Sequence, residues 1–331
     1  AALAEVAGAT DAGRGSVAAD HRPVRLAVVM DTTAVGGAET MTQRMCAAMD
    51  RDRVLPRLVC LRDEGALAED FRRAGVPVTA LGRTSWRDLR TLPRLVRALR
   101  GADAVLVAHH HRASLVLARV AGRLAGVRHA LVAAHDMGLV ELGGRVLPPS
   151  TVATLRWTSA LVLLAPSQGE YLHAEEGVGR RPWSRTREVV VPNGIPLAPV
   201  PDEVARAAAR TAGRGALGLP DDDYVVGIVA RLSAQKAHHV LLAAMVGLRS
   251  RVPHARLVVV GDGERRAELE ALTADLGIAD VVLFTGVRRD VDALLPAFDV
   301  LALSSVHEAA PLVVLEAMAA GLPVVSTDCG A

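Results

Sequence analysis

Short apolar runs alternate with amphipathic stretches along most of the chain, beginning with the run at 25–30. A parallel strand has this appearance because both faces of its sheet are covered. The stretches between the runs carry apolar residues at helical spacing. Alternating strands and helices predict an α/β fold with doubly wound parallel sheets. We predict strands at 25–30, 54–61, 77–81, 104–108, 129–134, 161–165, 188–191, 224–230, 256–260, 281–285, 300–303 and 322–327. We predict helices at 38–49, 65–74, 92–100, 114–125, 146–159, 170–176, 239–250, 264–276, 291–297 and 312–320.

The alternation is interrupted at residues 189–204, where the run VVVPNGIPLAPVPDEV holds four prolines. A chain of 331 residues is long enough for two domains, and this run is the best linker candidate. Two such domains are expected to leave a cleft faced by the carboxyl ends of their strands. The last predicted strand is followed by only four residues, so we expect the chain to be cut short at its C-terminus. We predict a flexible tail at 1–24, a first domain at 25–195, a linker at 196–218 and a second domain at 219–331.

Composition excludes several classes of function. The net charge is +2 and aromatic residues make up 2% of the chain, so neither nucleic-acid binding nor a base-stacking surface is indicated. Three distant cysteines give no disulfide framework and no zinc motif, which favours a reducing, cytoplasmic location. No apolar run approaches the roughly 20 residues that a membrane span requires. Lys236 is the only lysine in the chain.

That lysine lies in the loop Arg231–Lys236, between the first strand of the second domain and the next helix. A guanidinium and an ammonium group at a helix N-terminus suit a diphosphate, although a solvated turn would also accommodate them. Gly261 and Gly263 follow the next strand and resemble part of a dinucleotide-binding fingerprint, but Arg266 occupies the position of the last glycine. We interpret this turn as one that a nucleotide could approach.

Two glutamates flank the N-terminus of the predicted helix at 312–320. Pro311 and Gly321 delimit this helix, and its residues are apolar except for Glu316, which predicts a buried helix. A buried carboxylate needs hydrogen-bond donors, and a sugar or ribose diol supplies them. Glu308 lies in the preceding loop, beside the positive end of the helix. The alternative is a core helix in which Glu316 pairs with a buried arginine.

Three polar sites follow strands of the first domain. Gly36 and Gly37 form either a ligand-binding turn or a tight turn without a ligand. His135 and Asp136 end a strand, where they form either a sugar-binding pair or a helix cap. The run 109–111 is three histidines, but adjacent histidines point in different directions, so we expect no metal there.

Arginines recur every three or four residues between Arg83 and Arg100, opposite a row of leucines and valines. This pattern is typical of an ordinary surface helix with a solvated face. It would also suit docking on an anionic membrane surface, which would place the protein at the inner face of the membrane.

Together these residues resemble glycosyltransferase family 4, the group 1 glycosyltransferases, from Arg25 to the end of the chain. The spacing from Glu308 to Glu316, followed by AMAAGLPVV, is similar to the E-x7-E motif of that family. The segment Ala230–Lys236 is similar to its G-R-L-x3-K motif. The sequences GDG at 261–263, VPNGI at 191–195 and GGAE at 36–39 also resemble family motifs.

The resemblance implies the GT-B fold, two Rossmann-like domains facing a cleft, with a nucleotide-diphosphate sugar bound by the second domain and the acceptor by the first. It implies a bacterial-type, hexosyltransferase-like activity that retains the anomeric configuration and requires neither a metal nor a cofactor. The acceptor would be a sugar, a lipid or another small molecule, in the synthesis of cell-surface polysaccharide, glycolipid or glycoside.

By position, the resemblance assigns Arg231 and Lys236 to the diphosphate, Glu308 and His135 to the donor sugar, and Glu316 to the ribose. It gives the remaining donor contacts to small residues and loop amides: Gly36, Gly37, Gly261, Gly263, Ala309, Ala310, Pro311 and Leu312. The alternatives that we weigh are a nucleotide-sugar epimerase of the same fold and a sugar-nucleotide-binding fragment without catalysis. A dinucleotide oxidoreductase is disfavoured because the full glycine fingerprint is absent.

Overall fold

The computed structural model describes residues 22–85, 88–108, 112–139, 147–180 and 186–329. Most of the predicted tail and the histidine run at 109–111 lie outside the described residues. The chain divides into two compact units, Ala1–Asn193 and Gly194–Ala331. Each unit is built on one parallel sheet with helices between its strands, which confirms the predicted fold class.

The sheet of the first unit has seven strands in the order β3-β2-β1-β4-β5-β6-β7, and all neighbours are parallel. Its strands are β1 Val24–Met30, β2 Val54–Cys60, β3 Val78–Ala80, β4 Ala104–Val107, β5 His129–Ala133, β6 Ala160–Leu163 and β7 Arg187–Val190. Its helices are α1 Gly37–Ala48, α2 Ala68–Arg73, α3 Thr91–Leu99, α4 Arg112–Leu124, α5 Pro149–Leu155 and α6 Pro166–Ala174.

The continuous apolar run of β1 is explained by two hydrophobic clusters, one on each face of the sheet. Ala27 and Val29 belong to one cluster, while Leu26, Val28 and Met30 belong to the other. Successive side chains of a strand point to opposite faces, so a strand covered on both sides is apolar at every position. The same reasoning holds for the central strands of the second unit.

The sheet of the second unit has five parallel strands in the order β10-β9-β8-β11-β12. Its strands are β8 Tyr224–Val229, β9 Ala255–Val260, β10 Val282–Gly286, β11 Val300–Leu303 and β12 Val324–Ser326. Its α-helices are α7 Glu203–Leu217, α8 His238–Arg251, α9 Arg266–Asp275, α10 Val291–Leu294 and α11 Leu312–Ala319, and its 3-10 turns are Ala234–Lys236, Ala279–Val281 and Leu295–Ala297.

The sequence interpretation assigned residues 196–218 to a linker, and the structure has helix α7 over most of this range. The Asp202 side chain caps its first turn, and Gly218 ends it in a left-handed conformation with φ of +65°. The buried Arg214 of this helix donates to Asp299 Oδ2 at 2.9 Å. Helix α7 therefore belongs to the second unit.

Helix α11 corrects a second prediction, because it is not buried on all sides. Ala317 is its buried residue, Glu316 is half-buried, and Met318 is 66% exposed. The helix leads into β12, an edge strand whose described neighbour is β11. The helix therefore packs against the sheet along one side only. Burial in the core does not account for all of its apolar residues.

No helix among the described residues is long and apolar enough to cross a membrane.

Candidate functional site

The second sheet has a topological switch point at β8, which lies between β9 and β11. The chain leaves β8 toward β9 on one side and reaches β11 on the other. The loops that follow β8 and β11 therefore diverge at the carboxyl edge of the sheet. In open α/β sheets this is where ligands bind.

Lys236 and Glu308 meet at this switch point, one from each loop. Lys236 Nζ donates to Glu308 Oε1, and Ser305 Oγ donates to the same oxygen at 2.6 Å. The side chains of Lys236 and Glu308 are 21% and 8% exposed. A carboxylate with so little contact with water needs charged or hydrogen-bonding partners, and the only lysine of the chain is one of them.

Further hydrogen bonds join the same two loops. Ser304 Oγ donates to the carbonyl oxygen of Lys236 at 2.8 Å, and the amide of Val306 donates to Gln235 O at 2.8 Å. The side-chain amide of Gln235 donates to His307 O at 3.0 Å. These contacts fix the position of Lys236 relative to Glu308, and nothing in the sequence pattern singled out Ser304 or Gln235.

The segment after Glu308 leads directly into α11. The amide of Glu308 donates to Cys329 O at 2.9 Å, and Ala309 is buried. Ala310 is half-buried, Pro311 precedes the first turn with φ of −68°, and Leu312 begins the helix. Amide groups at a helix N-terminus have no partner in the preceding turn, so they are available to an anion.

Glycines bring the loops after β8 and β9 into backbone contact. A Cβ on Gly261, whose φ is +138°, would lie 2.1 Å from the carbonyl oxygen of Ala230. A Cβ on Gly263 would lie 2.5 Å from Leu232 O. The amide of Leu232 donates to Asp262 O at 3.1 Å. Both glycines are therefore required by this packing, which accounts for the GDG sequence without a ligand.

Arg231 lies in the same loop as Lys236, but its side chain extends toward the end of β9. Its Nη2 lies 3.3 Å from Glu264 Oε2, and the two side chains are 64% and 56% exposed. The structure therefore brings Lys236 together with Glu308, whereas Arg231 pairs with Glu264 near the surface. Exposed ion pairs are weak, so Arg231 can exchange its contact with Glu264 for a ligand at little energetic cost.

His238, the first residue of α8, follows the Lys236 loop by two positions, and the sequence interpretation did not single it out. It is 2% exposed, and neither ring nitrogen has a hydrogen-bond partner among the described residues. Burial, followed by the positive charges of Lys236, Arg265 and His239, lowers the pKa of His238 to about 4. The imidazole is therefore neutral at physiological pH and adds no charge beside Lys236.

The remaining predicted site residues belong to the first unit. Gly36 and Gly37 begin α1, and a Cβ on Gly36 would lie 2.4 Å from Glu39 Oε2. A Cβ on Gly37 would meet nothing within 4 Å, so the space beside this residue is open. The Glu39 carboxylate is the end of a flexible side chain that could move aside, so local packing explains neither glycine.

His135 follows β5 in a loop that two side chains of the α6 region hold in place. The side-chain amide of Gln168 donates to the carbonyl oxygens on either side of His135, at 2.9 and 2.7 Å. The buried carboxylate of Glu176 accepts from the amide of Leu139 at 3.0 Å. The sequence indicated His135 because of its position at a strand end, but it gave no sign that Gln168 and Glu176 orient the loop.

No group of three or more His, Cys, Asp or Glu side chains in the described part of the chain is placed to hold a metal ion.

Two family models match the chain, one to each unit. The model described as Glycosyltransferase Family 4 matches residues 35–198, and the model described as Glycosyl transferases group 1 matches residues 209–331. The chain belongs to the family 4, group 1 glycosyltransferases. The second model spans Lys236, Glu308 and the loops that join them, so the family assignment includes the switch-point site.

Curated relatives of this family include a 2-deoxystreptamine glucosyltransferase of Streptomyces kanamyceticus, 31% identical over 66% of the chain and 57% of that protein. The chain thus spans somewhat more than half the length of this relative. The putative glycosyltransferase EpsF of Bacillus subtilis is 28% identical over 88% of the chain and 76% of that protein.

Solved structures with the same fold include Anabaena Alr3699/HepE in complex with UDP and glucose. It superposes with a TM-score of 0.72 at 21% identity and covers 93% of the chain and 81% of that structure. WaaG, a glycosyltransferase involved in lipopolysaccharide biosynthesis, superposes with a TM-score of 0.65 at 19% identity, covering 92% of the chain and 82% of that structure. These similarities confirm the GT-B fold class of the two units.

Proposed function

We propose that the protein transfers a sugar from a nucleotide-diphosphate sugar to the hydroxyl group of an acceptor, with retention at the anomeric carbon. The observation that carries this proposal is the Lys236–Glu308 pair at the switch point of the second sheet. A cation, a carboxylate and the N-terminus of α11 meet there, and those groups match the diphosphate and hydroxyls of such a donor.

The charges suit the bond that must break. Departure of the nucleotide diphosphate leaves negative charge on its outer phosphate and positive charge on the sugar ring. Lys236, Arg231 and free amides at the start of α11 would stabilise the first, and the Glu308 carboxylate the second. Groups fixed in place before the reaction stabilise such charge more effectively than mobile water does.

The acceptor proton needs a base on the same face of the sugar when the configuration is retained. We propose that the departing phosphate oxygen takes this proton while the acceptor oxygen bonds to the anomeric carbon. The electron pair of the broken carbon–oxygen bond then remains on the diphosphate. In this scheme the reaction needs no metal, because Lys236 and Arg231 supply the positive charge that a metal would provide.

A solved structure of the same fold suggests which donor to test first. HepE was crystallised with UDP-glucose, and this compound is the first donor to examine. We expect UDP-glucose, or another member of a panel of nucleotide-diphosphate sugars, to raise the thermal midpoint of the protein, since a ligand that binds the folded state stabilises it. We expect Lys236→Gln to reduce this shift strongly.

The matched control is Arg256→Gln, which removes an arginine paired with Asp223 at the amino-terminal end of the second sheet. It should leave the donor-induced shift unchanged relative to its own ligand-free midpoint. A shift that survives Lys236→Gln and Arg231→Gln would contradict the proposal. Release of nucleotide and formation of a glycosylated product then separate a transferase from an epimerase, which would alter the donor without an acceptor.

A cytoplasmic location is part of the proposal. All three cysteines are buried and free, which suits a reducing compartment. A role in cell-surface polysaccharide, glycolipid or glycoside synthesis is proposed because WaaG, which shares the fold, is involved in lipopolysaccharide biosynthesis.

Peripheral membrane contact through α3 is also proposed, in a narrower form than the sequence pattern predicted. Thr91, Leu95 and Leu99 are buried, so the apolar side of the helix packs within the unit and cannot enter a membrane. Its outer side exposes the arginines at 90, 94, 97 and 100. Attraction to anionic lipid is therefore electrostatic and should disappear as salt increases. Flotation with anionic and neutral vesicles at low and high salt tests this.

A further inference from the structure

Three charged residues of the first unit follow three neighbouring strands. Asp31 follows β1, Arg62 follows β2, and Arg83 follows β3. The amide of Arg62 donates to Asp31 O at 2.9 Å, and the amide of Arg83 donates to Leu61 O at 3.0 Å. The strand register thus places one carboxylate and two guanidinium groups side by side at the carboxyl edge of the sheet. This edge adjoins the switch point of the first sheet, where β1 lies between β2 and β4.

Asp31 holds both arginines loosely. Arg62 Nη1 lies 3.9 Å from Asp31 Oδ2, and Arg83 Nη1 lies 3.9 Å from Asp31 Oδ1. Both distances exceed the roughly 2.7–3.2 Å of a hydrogen bond. Asp31 is 7% exposed, yet its Oδ1 accepts no hydrogen bond from the described residues. The guanidinium donors that face the carboxylate are therefore not used by it.

The Asp103–Arg25 pair of the same unit is an ordinary structural ion pair, and its geometry differs from that around Asp31. Asp103 accepts from the amide of Arg25 at 3.0 Å and from its Nε at 3.2 Å. This pair lies at the amino-terminal edge of the sheet, because Asp103 precedes β4. The acid at the opposite edge has two arginine neighbours and no direct hydrogen bond to either. A charged group with unused donors beside a switch point is the arrangement expected of a ligand site.

We propose that Arg62 and Arg83 bind an anionic group of the acceptor, with a phosphate as the chemistry that fits best. The guanidinium fork matches phosphate oxygens, and two arginines against one carboxylate leave the trio with one net positive charge. Asp31 acts as a positioning residue that keeps the two arginines apart. The inference rests on the proposed function, in which the first unit binds the acceptor, and it names the acceptor as a phosphorylated hydroxyl compound.

The two arginines have different access to a ligand. The Arg62 side chain is 57% exposed, while that of Arg83 is 12% exposed. Arg83 also donates from Nε to Ser85 O at 3.2 Å, which fixes its direction. Arg83 is thus the ordered part of the site, and Arg62 can move onto the ligand. Substitution of Arg62 should reduce binding without affecting the fold, because its side chain lies mostly in water.

The test uses glucose 6-phosphate as a soluble probe and glucose as its neutral counterpart, titrated calorimetrically in the presence of saturating UDP. UDP occupies the diphosphate contacts of the second unit, so that the probe reports on another site. We expect glucose 6-phosphate to bind and glucose not to bind. Arg62→Gln should weaken the binding about tenfold or more, since a charge-assisted hydrogen bond is lost. Arg62→Lys should recover part of the affinity, because it restores charge but not the fork.

The matched control is Arg53→Gln, since Arg53 immediately precedes β2 whereas Arg62 follows it. Both are surface arginines, but they lie at opposite edges of the same sheet. We expect the control to keep the wild-type affinity within about twofold. Equal affinities in Arg62→Gln and Arg53→Gln would overturn the inference, because binding would then follow overall charge.

A phosphate on a lipid headgroup would present the same chemistry, so a second arm uses phosphatidylcholine vesicles with and without phosphatidic acid. Arg62-dependent binding of either probe supports the inference and identifies its source. Binding of neither probe overturns it. The proposed function is read separately, from the affinity for UDP-glucose, which Arg62→Gln should leave unchanged. Failure of every nucleotide-diphosphate sugar of the panel to bind the wild-type chain would reject the donor assignment alone.

Discussion

Lys236 and Glu308 form an ion pair across the switch point of the second sheet, although 72 residues separate them in the chain. Strand β11 inserts beside β8, and this pairing brings the ends of both loops together. The pair is shielded from water and is further held by Ser305. A donor diphosphate that binds Lys236 must therefore share or replace the bond to Glu308.

The first prediction concerns the stability of this pair. Lys236→Met leaves the buried Glu308 without its cation, and we expect the free energy of unfolding to fall by about 3 kcal/mol. The double variant Lys236→Met/Glu308→Gln should regain most of this loss because the uncompensated charge is gone. Urea titration of Lys236→Met, Glu308→Gln and the double variant measures the coupling between the two residues.

The control for the pair is Glu264→Gln, which breaks the exposed contact with Arg231. We expect a change below about 0.5 kcal/mol, since exposed ion pairs contribute little. Equal losses in Lys236→Met and Glu264→Gln would show that burial does not distinguish the two ion pairs.

The second prediction is a fall in stability at mildly acidic pH caused by His238. Its pKa is about 4 in the folded state and 6.5 for a histidine in water, so below pH 6.5 the unfolded chain takes up a proton that the folded chain does not. Stability is therefore lost as the pH falls from 6.5 toward 4. The expected loss between pH 7.5 and pH 5 is about 2 kcal/mol.

His238→Leu tests this directly, because it removes both the titration and the unpartnered ring nitrogens. We expect the variant to be more stable than the wild type at pH 5 and to lose the His238 part of the pH dependence. The exposed His254 is not among the groups that lower the pKa of His238, so His254→Gln is the control and should keep the His238 part of the pH dependence. A wild-type profile in His238→Leu would be inconsistent with the assignment.

The third prediction concerns the glycine that joins the loops after β8 and β9. Gly261→Ala places a Cβ 2.1 Å from the carbonyl oxygen of Ala230, in a backbone region that L-residues rarely adopt. We expect a loss of about 2 kcal/mol or more, because backbone atoms must move. Gly247→Ala is the control, since a Cβ there meets nothing within 4 Å and the residue lies inside α8. It should stabilise the protein by about 0.5–1 kcal/mol.

The fourth prediction concerns the loop that carries His135. Glu176→Ala removes the acceptor of the Leu139 amide, and we expect a loss of about 1–3 kcal/mol in the stability of the first unit. Glu176→Gln keeps one acceptor oxygen and should lose less. Hydrogen exchange of the Leu139 amide reports the local effect, which should be faster in the alanine variant than in the glutamine variant. Identical exchange in both would exclude the role of this hydrogen bond.

Local patterns in the sequence predicted the fold and singled out Lys236 and Glu308 one by one, while contacts between distant segments could not be predicted. The strand at 300–303 was visible as a short apolar run, and the next helix was visible because Pro311 and Gly321 delimit it. Whether Lys236 meets Glu308 depends on the pairing of β11 with β8. The sequences of the two loops that carry these residues do not indicate the strand order.

Helix α7 was not predicted, although its local sequence signals were present. Asp202 and Gly218 are a typical N-cap and C-terminal glycine, but the prolines just upstream dominated the interpretation. The burial of Arg214 depends on Asp299, which lies 85 residues away. Its long-range partner therefore could not be recognised from the helix alone.

The pairing of Lys236 has a practical consequence, because the chain contains no other lysine. Acylating reagents attack primary amines, and Lys236 supplies the only side-chain amine of the 331 residues. The side chain of Lys236 is 21% exposed and paired with Glu308, so a ligand bound at the switch point should shield it from the reagent. The extent of acylation of the peptide that contains Lys236, measured by mass spectrometry, should therefore report how much of the switch-point site is occupied.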